Sequence, residues 1–374
     1  MRICIVSDAY YPYPSGVSEH VYNLAQSLMK KGDLVTILTS HYPEEKKEKD
    51  VVRIGRIIFV PMNGTLVTTP LLNPISVKTF FSKNSFDIVH LHGPFFPDIS
   101  HWALKYSEAP CVATFHTTGF SSITIGSHLY QKAFPFYKKL RARIGVSPVA
   151  VDFIKPYIPG DYIIIPNGVD TSRFSPEGNK HNKIERIIGK KILFLGRLDA
   201  RKGLGQLLSG FKLLIKKIDA HLIVVGTGPE RKKYERFVSD NNLTRLVHFL
   251  GFVPNEDLPS VYRSCDVYCS PALGAETFGI VLLEAMASGI PVAASNIVGY
   301  KQVIKEGENG LLFNLKSPED LAEKLFSILT NTSLRDNLIS NGLESAKQYD
   351  WRKIAERVYQ VYNKALDKDN NESI

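Results

Sequence analysis

Short apolar runs, rich in β-branched residues, alternate with longer amphipathic stretches along most of this chain, and this alternation constrains the fold more than any other feature. Residues 2–7 and 34–39 are two such runs, and residues 17–31 form the amphipathic stretch between them. Parallel strands buried on both faces have near-continuous apolar sequences and are connected by helices. The pattern therefore predicts a doubly wound α/β domain. Its further strands are predicted at 57–61, 86–91, 111–115 and 162–165, and its further helices at 72–83, 98–107 and 127–143.

The same alternation begins again after a turn-rich, polar passage between residues 165 and 191. A length of 374 residues fits two domains of ~100–200 residues each. We therefore predict a first domain over 1–169, a second doubly wound domain over 170–349, and a C-terminal segment over 350–374 that begins with an amphipathic helix. The strands of the second domain are predicted at 192–196, 221–226, 246–250, 266–270 and 291–295.

The composition indicates the charge of a binding partner and the cellular compartment. Lysine and arginine outnumber the acidic residues by 46 to 37, so the formal net charge is +9. This surplus favours an anionic partner without choosing among nucleic acid, a phosphorylated substrate and a membrane surface. Four cysteines in apolar runs favour reduced core thiols and a cytoplasmic location. No apolar stretch reaches the ~20 residues of a membrane span, and the first apolar run is too short for a signal peptide.

Two basic residues follow a predicted strand of the second domain. Arg197 comes directly after strand 192–196, and Lys202 lies where the next helix is predicted to begin. In open α/β sheets, ligands bind at the carboxyl ends of the strands. Two cations at that edge can bind a diphosphate and stabilise the charge that grows on it as a leaving group. The alternative interpretation is a basic loop that binds no ligand.

A second group of candidates follows the predicted strand 266–270. Glu276 lies in a small-residue loop, and a helix is predicted to start near Phe278. Gly279 allows close backbone approach, and the free N–H groups of a helix start can bind an anion. Glu284 lies ~8–9 Å along that helix, where it could accept hydrogen bonds from a ribose, while Glu276 could accept them from a sugar. The alternative for Glu284 is an exposed helix carboxylate.

Three more strand ends carry candidate residues. Val253 follows strand 246–250, where the backbone could form a wall for a base or be an ordinary turn. Gly16 lies between the first strand and the first helix, and its backbone could approach a phosphate closely. His116 ends strand 111–115, so we expect its side chain at the ligand-binding edge, although an isolated histidine is more often structural.

Taken together, these residues resemble family 4 of the retaining nucleotide-sugar glycosyltransferases. The motifs that carry the resemblance are GRLDARKG at 196–203, ETFG at 276–279 and EAMA at 284–287, and the two glutamates match the family's E-x7-E signature. The subgroup most similar by eye is the phosphatidylinositol mannosyltransferases, which share a GAE-(S/T)-FGIVL-x-EAMA run. Ser15 departs from that subgroup, which usually has a second glycine at this position.

The resemblance implies a GT-B fold, with two Rossmann-like doubly wound domains, a facing cleft, and a last helix that returns to the N-terminal domain. It also implies no cofactor and no metal, and the only Asp-x-Asp sequence stands in the tail at 367–369. Cys265 and Cys269 lack a second pair and are interpreted as core residues and not as zinc ligands.

The resemblance further assigns a role to each candidate residue. Arg197 and Lys202 would hold the diphosphate, Glu284 the ribose and Glu276 the donor sugar, with His116 near the reacting carbon. The residues implied at the chemistry are His116, Arg197, Lys202 and Glu276. The residues implied at the donor are Gly16, Arg197, Lys202, Val253, Glu276, Phe278, Gly279, Ile280 and Glu284.

The implied activity is transfer of a hexose from a nucleotide diphosphate sugar. GDP-mannose is the first expectation for the donor, and UDP-glucose or another hexose donor is the second. The acceptor is expected to be a lipid at a membrane surface, on the inner face of the plasma membrane, with a soluble sugar as the alternative.

A GT-B-type nucleotide-sugar epimerase is a weaker alternative for the function, and a nucleic-acid-binding protein is disfavoured. The sequence has no evident carboxylate nucleophile, so the family expectation is a same-face displacement through an oxocarbenium-like transition state.

A basic and aromatic segment at 128–143 is the candidate for a membrane-binding surface. It contains five lysines and arginines and no acidic residue, with aromatic residues between them. Basic residues beside aromatic rings suit an anionic lipid interface. The alternative is an ordinary amphipathic helix whose aromatic rings face the core.

Overall fold

The chain forms two compact units, each a doubly wound α/β domain as predicted. The computed structural model describes residues 1–13, 15–62, 65–94, 98–116, 135–274 and 276–371. The N-terminal unit consists of Met1–Asn167 and Trp351–Ile374, and the C-terminal unit of Gly168–Asp350. The sequence had placed these boundaries at 169/170 and 349/350.

The N-terminal unit contains an eight-stranded sheet in the order β4-β3-β2-β1-β5-β6-β7-β8. All neighbours are parallel except β3 and β4, which are antiparallel. The direction of winding reverses between β1 and β5, so the loops after these strands diverge and leave room for a ligand. The strands are β1 Arg2–Val6, β2 Leu34–His41, β3 Val51–Met62, β4 Thr65–Leu71, β5 Ile88–His92, β6 Cys111–Phe115, β7 Leu140–Gly145 and β8 Ile163–Ile164.

The helices of the N-terminal unit cover this sheet and include the last helix of the chain. They are α1 Gly16–Lys30, α2 Pro74–Lys83, α3 Ile99–Tyr106, α4 Pro148–Ile154 and α12 Trp351–Asn371. Ile354, Val358 and Tyr362 recur at helical spacing on α12 and are buried with Ile3 of β1 and Leu24 of α1. Burial of each such side chain contributes ~1.5–3 kcal/mol, which explains why this distant segment belongs to the first unit.

The C-terminal unit contains a six-stranded, all-parallel sheet in the order β11-β10-β9-β12-β13-β14. This is the strand order of the Rossmann fold, and the winding reverses between β9 and β12. The strands are β9 Lys190–Leu195, β10 Ala220–Val225, β11 Val247–Gly251, β12 Val267–Ser270, β13 Val292–Ser295 and β14 Leu311–Phe313. The helices are α5 Asn182–Glu185, α6 Leu204–Leu214, α7 Arg231–Asp240, α8 Leu258–Arg263, α9 Ile280–Ala287, α10 Pro318–Thr330 and α11 Thr332–Gln348.

The predicted helix over 127–143 is wrong in the part that the structure describes. Residues 136–139 form a 3-10 turn, residues 140–145 form strand β7, and residues 117–134 lie outside the described residues. Leucine, alanine and isoleucine at 140, 142 and 144 alternate with two arginines, and this period of two is typical of a strand. Pairing with β6 and β8 satisfies its backbone groups.

The absence of an α-helix over 136–143 also excludes, for these residues, the alternative interpretation of the segment 128–143 as an ordinary amphipathic helix. Phe136 and Tyr137 pack against the apolar core, and the ammonium group of Lys139 donates to the carbonyl oxygens of Lys105 and Ser107 at 3.0 and 2.9 Å. The remainder of the segment, 128–134, lies outside the described residues.

Strand β4 was not predicted, and it makes the first sheet mixed at one edge. It pairs antiparallel with β3, with Arg56 opposite Leu71. The sequence signal was the Asn63-Gly64 dipeptide, which favours a hairpin turn, although the structure does not describe those two residues.

The expectation for the cysteines is consistent with the structure. Cys4, Cys111, Cys265 and Cys269 are all free and buried, as expected of core thiols. Among the described residues, no helix combines the length and the apolar character needed to cross a membrane.

Candidate functional site

The loops that follow β9 and β12 lie together at the carboxyl edge of the C-terminal sheet, because these strands are neighbours at the winding reversal. The N–H group of Leu273 donates to the carbonyl oxygen of Arg201 at 2.8 Å. Gly203 has a φ of +72°, and a Cβ atom there would come within 1.9 Å of the carbonyl oxygen of Pro271. This glycine therefore permits the close approach that brings the two motif-bearing loops together.

Lys202 and Glu276 form an ion pair at this edge. The ammonium group of Lys202 donates to Oε1 of Glu276 at 2.7 Å, and Nη1 of Arg201 lies 3.3 Å from the same oxygen. The side chains of Lys202 and Glu276 are 23% and 15% exposed, so both are accessible to a ligand. An anion that binds Lys202 must therefore replace, or share the lysine with, this carboxylate.

Asp199 orients the two basic residues that the sequence assigned to a diphosphate. Its buried carboxylate accepts a hydrogen bond from the N–H group of Lys202 at 3.1 Å, which caps the turn over 200–202. Its other oxygen lies 3.8 Å from Nε of Arg197. Asp199 was not predicted from the sequence, although an aspartate three residues before a lysine at a helix start is a capping signal.

Glu284 is buried, which excludes its interpretation as an exposed helix carboxylate. The residue is 8% exposed, and its Oε2 accepts a hydrogen bond from the hydroxyl of Tyr262 at 2.9 Å. Burial, together with the charge of Glu284, raises the pKa of Tyr262, so this phenol remains a donor at neutral pH. Tyr262 was not predicted from the sequence, because it lies on α8 and meets α9 only in the folded unit.

The start of α9 presents backbone groups rather than side chains. Gly279 precedes the helix with a φ of +95°, and a Cβ atom there would come within 2.9 Å of the ring of Tyr300. The side chain of Phe278 is buried and packs against Tyr349, which leaves only its backbone groups for contact with a ligand. The free N–H groups from Ile280 onwards form an electropositive helix end.

The neighbouring strand ends complete this edge through backbone contacts. The N–H group of Leu198 donates to the carbonyl oxygen of Thr227 at 2.9 Å. A Cβ atom on Gly228 would come within 2.4 Å of the carbonyl oxygen of Leu198, so the loop after β10 is locked against the Arg197 loop. Val253 is half-buried and packs on the apolar core below the edge.

The N-terminal unit carries a cluster of three histidines, His20, His92 and His116, which we call the histidine cluster. His92 ends β5, His116 follows β6 directly, and His20 lies in the second turn of α1. Nδ1 of His92 lies 2.8 Å from Nε2 of His116, and the ring of His20 lies 4.7 Å from that of His116. Of these three histidines, only His116 was predicted from the sequence.

The surroundings keep these imidazoles neutral. Burial lowers the pKa of His20 to about 4, although a hydrogen bond with Asn167 opposes the shift. Burial also lowers the pKa of His92 and of His116, and the neighbouring histidines lower both further. A neutral His116 can donate or accept a hydrogen bond, but it supplies no positive charge.

The N-terminus of α1 explains the departure at Ser15. Its side chain caps the helix by accepting a hydrogen bond from the N–H group of Ser18 at 3.1 Å, with an extended backbone at φ −153°. Gly16 is then the first residue of the helix, and a serine satisfies this position as a capping residue. The backbone therefore requires no second glycine at position 15.

Models of two families match the two halves of the chain. Glycosyltransferase Family 4 matches residues 14–173, and glycosyl transferases group 1 matches residues 179–345. The chain is 34% identical over 369 residues to a phosphatidyl-myo-inositol mannosyltransferase of Mycobacterium leprae, covering 97% of this chain and 96% of that protein. It is 29% identical over 389 residues to the protein of that name from Propionibacterium freudenreichii, covering 98% and 95% of the two chains.

Solved structures share the architecture of the whole chain. A sucrose-phosphate synthase from Thermosynechococcus elongatus matches with a TM-score of 0.80 at 22% identity, covering 98% of this chain and 99% of that one. HepE from Anabaena, in complex with UDP and glucose, matches with a TM-score of 0.76 at 17% identity, covering 97% and 99%. The fold is thus that of the GT-B glycosyltransferases. The chain belongs to glycosyltransferase family 4.

Proposed function

We propose that this protein transfers a mannosyl residue from GDP-mannose to a phosphatidylinositol-type lipid, with retention of configuration at the transferred carbon. The observation that carries the proposal is the Lys202–Glu276 pair, with Arg197 beside it, at the carboxyl edge of the C-terminal sheet. The relatives named phosphatidyl-myo-inositol mannosyltransferase support the choice of sugar and acceptor, since the similarity extends over nearly the full length. The reaction then takes place at a membrane surface, on the cytoplasmic side.

Lys202 and Arg197 stabilise the departing diphosphate. The bond between the sugar carbon and the phosphate oxygen breaks, and its electron pair remains on the diphosphate. The negative charge on the diphosphate grows toward the transition state, so fixed cations lower the barrier. Asp199 fixes the backbone turn that carries Lys202 through the Lys202 backbone N–H group, and its second oxygen attracts the Arg197 guanidinium at 3.8 Å.

Glu276 changes partners when the donor binds. In this structure it neutralises Lys202 and Arg201. The diphosphate takes over these cations, and the carboxylate then accepts hydrogen bonds from hydroxyl groups of the donor sugar. The exchange keeps Lys202 paired in both states, which limits the cost of desolvating its charge.

Glu284 and the start of α9 hold the nucleotide. The buried carboxylate of Glu284 accepts hydrogen bonds from the ribose hydroxyls, while Tyr262 keeps one of its oxygens fixed. The N–H groups after Gly279 bind a phosphate at the positive helix end.

The acceptor hydroxyl attacks from the face that the diphosphate leaves. A new bond forms between the acceptor oxygen and the sugar carbon, and the acceptor proton passes to the leaving phosphate oxygen. This step uses no protein nucleophile and produces retention. His116, which is neutral, orients a sugar hydroxyl near the reacting carbon.

The proposed reaction requires no metal ion and no cofactor. The basic side chains supply the positive charge that a divalent cation supplies at other diphosphate sites. Activity is therefore expected to survive EDTA. Loss of activity in EDTA, with recovery on addition of Mg²⁺ or Mn²⁺, would contradict this part of the proposal.

The experiment that tests the function is a transfer assay on the full chain with two donors and two acceptors. GDP-mannose and UDP-glucose are each supplied with phosphatidylinositol vesicles or with soluble myo-inositol. The expected result is mannosyl transfer to the vesicle lipid, with the α-configuration of the donor retained in the product as read by NMR. Transfer from UDP-glucose to the soluble acceptor alone would replace the proposed substrates, and an inverted product would exclude the same-face step.

A further inference from the structure

Two buried ring nitrogens of the histidine cluster have no hydrogen-bond partner within the part of the chain that the structure describes. Nε2 of His20 and Nε2 of His92 make no hydrogen bond with any of the described residues. The residues are 1% and 5% exposed, so neither nitrogen is on an open surface. A buried polar atom without a partner is unfavourable, and such atoms in native proteins call for an explanation.

The bonds around His20 indicate that its Nε2 carries a lone pair. Nδ1 of His20 lies 2.8 Å from Oδ1 of Asn167, and a carbonyl oxygen only accepts hydrogen bonds. The proton of the neutral ring is therefore on Nδ1, and the lone pair on Nε2 points into the cluster. A histidine whose other N–H is held by a carbonyl oxygen is the usual arrangement of a metal ligand.

The three rings are close enough to share one ion. One ring nitrogen from each of His20, His92 and His116 can be chosen so that all three lie within 4.8 Å of one another. A tetrahedral zinc site has Zn–N distances of ~2.0–2.1 Å, which puts ligand nitrogens ~3.4 Å apart. Binding of one ion therefore draws the three nitrogens closer together, and the ion replaces the contact between His92 and His116.

We propose that His20, His92 and His116 form a binding site for one divalent transition-metal ion such as Zn²⁺. Three neutral imidazoles suit Zn²⁺ and related ions and do not suit Mg²⁺ or Ca²⁺, which prefer oxygen ligands. Among the described residues His116 is only partly buried, so a water molecule can supply the fourth ligand from its side. Asn167 acts as the outer partner that fixes the ring of His20.

Metal binding has a consequence that rests on the proposed function. A ligated His116 cannot orient a sugar hydroxyl, so Zn²⁺ is expected to inhibit transfer and EDTA to restore it. The site is thus inhibitory, which agrees with a reaction that needs no metal.

The direct test is calorimetric titration of the full-length protein with ZnSO₄ in a buffer that does not chelate metal. The expected result is one Zn²⁺ ion per chain, with at least tenfold weaker binding in H116Q and in H92Q. The matched control is H248Q, because His221 and His248 form a second histidine pair at 3.0 Å in the other unit. This control is expected to bind Zn²⁺ like the unaltered protein. Absence of binding to the unaltered protein, or equal binding by all three variants, overturns the proposal.

Two further measurements keep the test decisive if H92Q, which alters a buried residue, fails to fold. N167A changes an outer partner and is expected to weaken binding ~10–100-fold. Co²⁺ in place of Zn²⁺ is expected to give the visible absorption of a tetrahedral site in the unaltered protein, and to lose it in H116Q. An octahedral Co²⁺ spectrum in the unaltered protein overturns the three-histidine site.

The inhibition assay separates this proposal from the proposed function. Binding of one Zn²⁺ ion with inhibition of transfer supports both. Binding at the cluster without inhibition supports the metal site and contradicts the catalytic placement of His116.

Discussion

The two units present their candidate side chains at the same place in similar sheets, but with opposite electrostatic character. In the N-terminal unit, neutral and mostly buried imidazoles gather where the winding reverses between β1 and β5. In the C-terminal unit, the corresponding edge carries cations paired with carboxylates. Topology therefore decides where side chains converge, while the residues at the strand ends decide the chemistry.

The difference in charge between the two sheet edges follows from the burial of their side chains. The histidine cluster lies among apolar and aromatic neighbours, including Trp351, whose ring is 4.9 Å from that of His20. A charged imidazole there would be poorly solvated, so the neutral form is favoured. Lys202 keeps its charge at the other edge because Glu276 compensates it and water reaches both side chains.

The largest expected effect tests the charged edge. Lys202→Ala removes the cation proposed to contact the diphosphate, and we expect kcat to fall ~10²–10³-fold, or about 2.7–4 kcal/mol of transition-state stabilisation. The measurement is steady-state transfer kinetics. Lys347→Ala is the matched control, because this lysine pairs with Glu344 on the exposed face of α11 and is expected to change nothing. Unchanged turnover in a folded Lys202→Ala protein would remove Lys202 from the site.

The second effect distinguishes the proposed binding roles of Glu276 and Glu284. Glu284→Gln is expected to weaken binding of GDP itself by about 1.5–3 kcal/mol, since it removes the charged acceptor of the ribose hydroxyls. Glu276→Gln is expected to spare GDP binding, because it releases Lys202 and Arg201 for the phosphates, while weakening binding of the intact donor. Calorimetry with GDP and GDP-mannose measures both. Equal losses for both ligands in both variants would contradict the division of roles.

The third effect concerns the backbone that supports the charged edge. Gly228→Ala is expected to cost about 1–3 kcal/mol of unfolding free energy, because its Cβ atom would come within 2.4 Å of the carbonyl oxygen of Leu198. Gly205→Ala is the matched control on α6, where the new Cβ atom would meet only the ring of Tyr234 at 3.7 Å. This control is expected to be neutral or slightly stabilising. Urea unfolding compares the two, and a more stable Gly228→Ala protein would disprove the close packing.

The smallest effect tests whether a buried histidine of the N-terminal unit stays neutral. Burial, together with the charge of Lys105, lowers the pKa of His101 on α3 to about 4. Because the folded pKa lies below the ordinary value of 6.5, the stability contribution is complete above pH ~6.5 and is lost as the pH falls toward 4. Acidification from pH 7 to pH 5 is expected to cost about 1–2 kcal/mol through this residue.

Tryptophan fluorescence reports the unfolding of the N-terminal unit, which contains His101. The two tryptophans of the chain, Trp102 and Trp351, both belong to the N-terminal unit. His101→Gln removes the titrating group, so its urea midpoint is expected to depend less on pH than that of the unaltered protein. Identical pH dependence in the two proteins would show that His101 does not resist protonation.

The C-terminal site was largely predictable from sequence, and the N-terminal site was not. Arg197, Lys202, Glu276 and Glu284 stand in local motifs directly after strands, so their common edge follows from the strand pattern alone. His20, His92 and His116 come from α1, β5 and β6, and no local spacing relates them. The error at 140–145 has a similar origin, since a segment with helix-forming residues became a strand only through its pairing with β6 and β8.

The sequence by itself determined the two doubly wound domains and the strand-end position of the charged motifs, because apolar periodicity and strand-to-loop boundaries are local properties of a chain. Only the tertiary structure decided which side chains meet. The strand order brings Lys202 to Glu276 across 74 residues and His92 to His116 across 24. It also buries Glu284 against Tyr262. The physical reason is that contact, burial and the resulting pKa of a side chain depend on neighbours supplied by other strands and helices, and those neighbours exist only once the sheets have assembled.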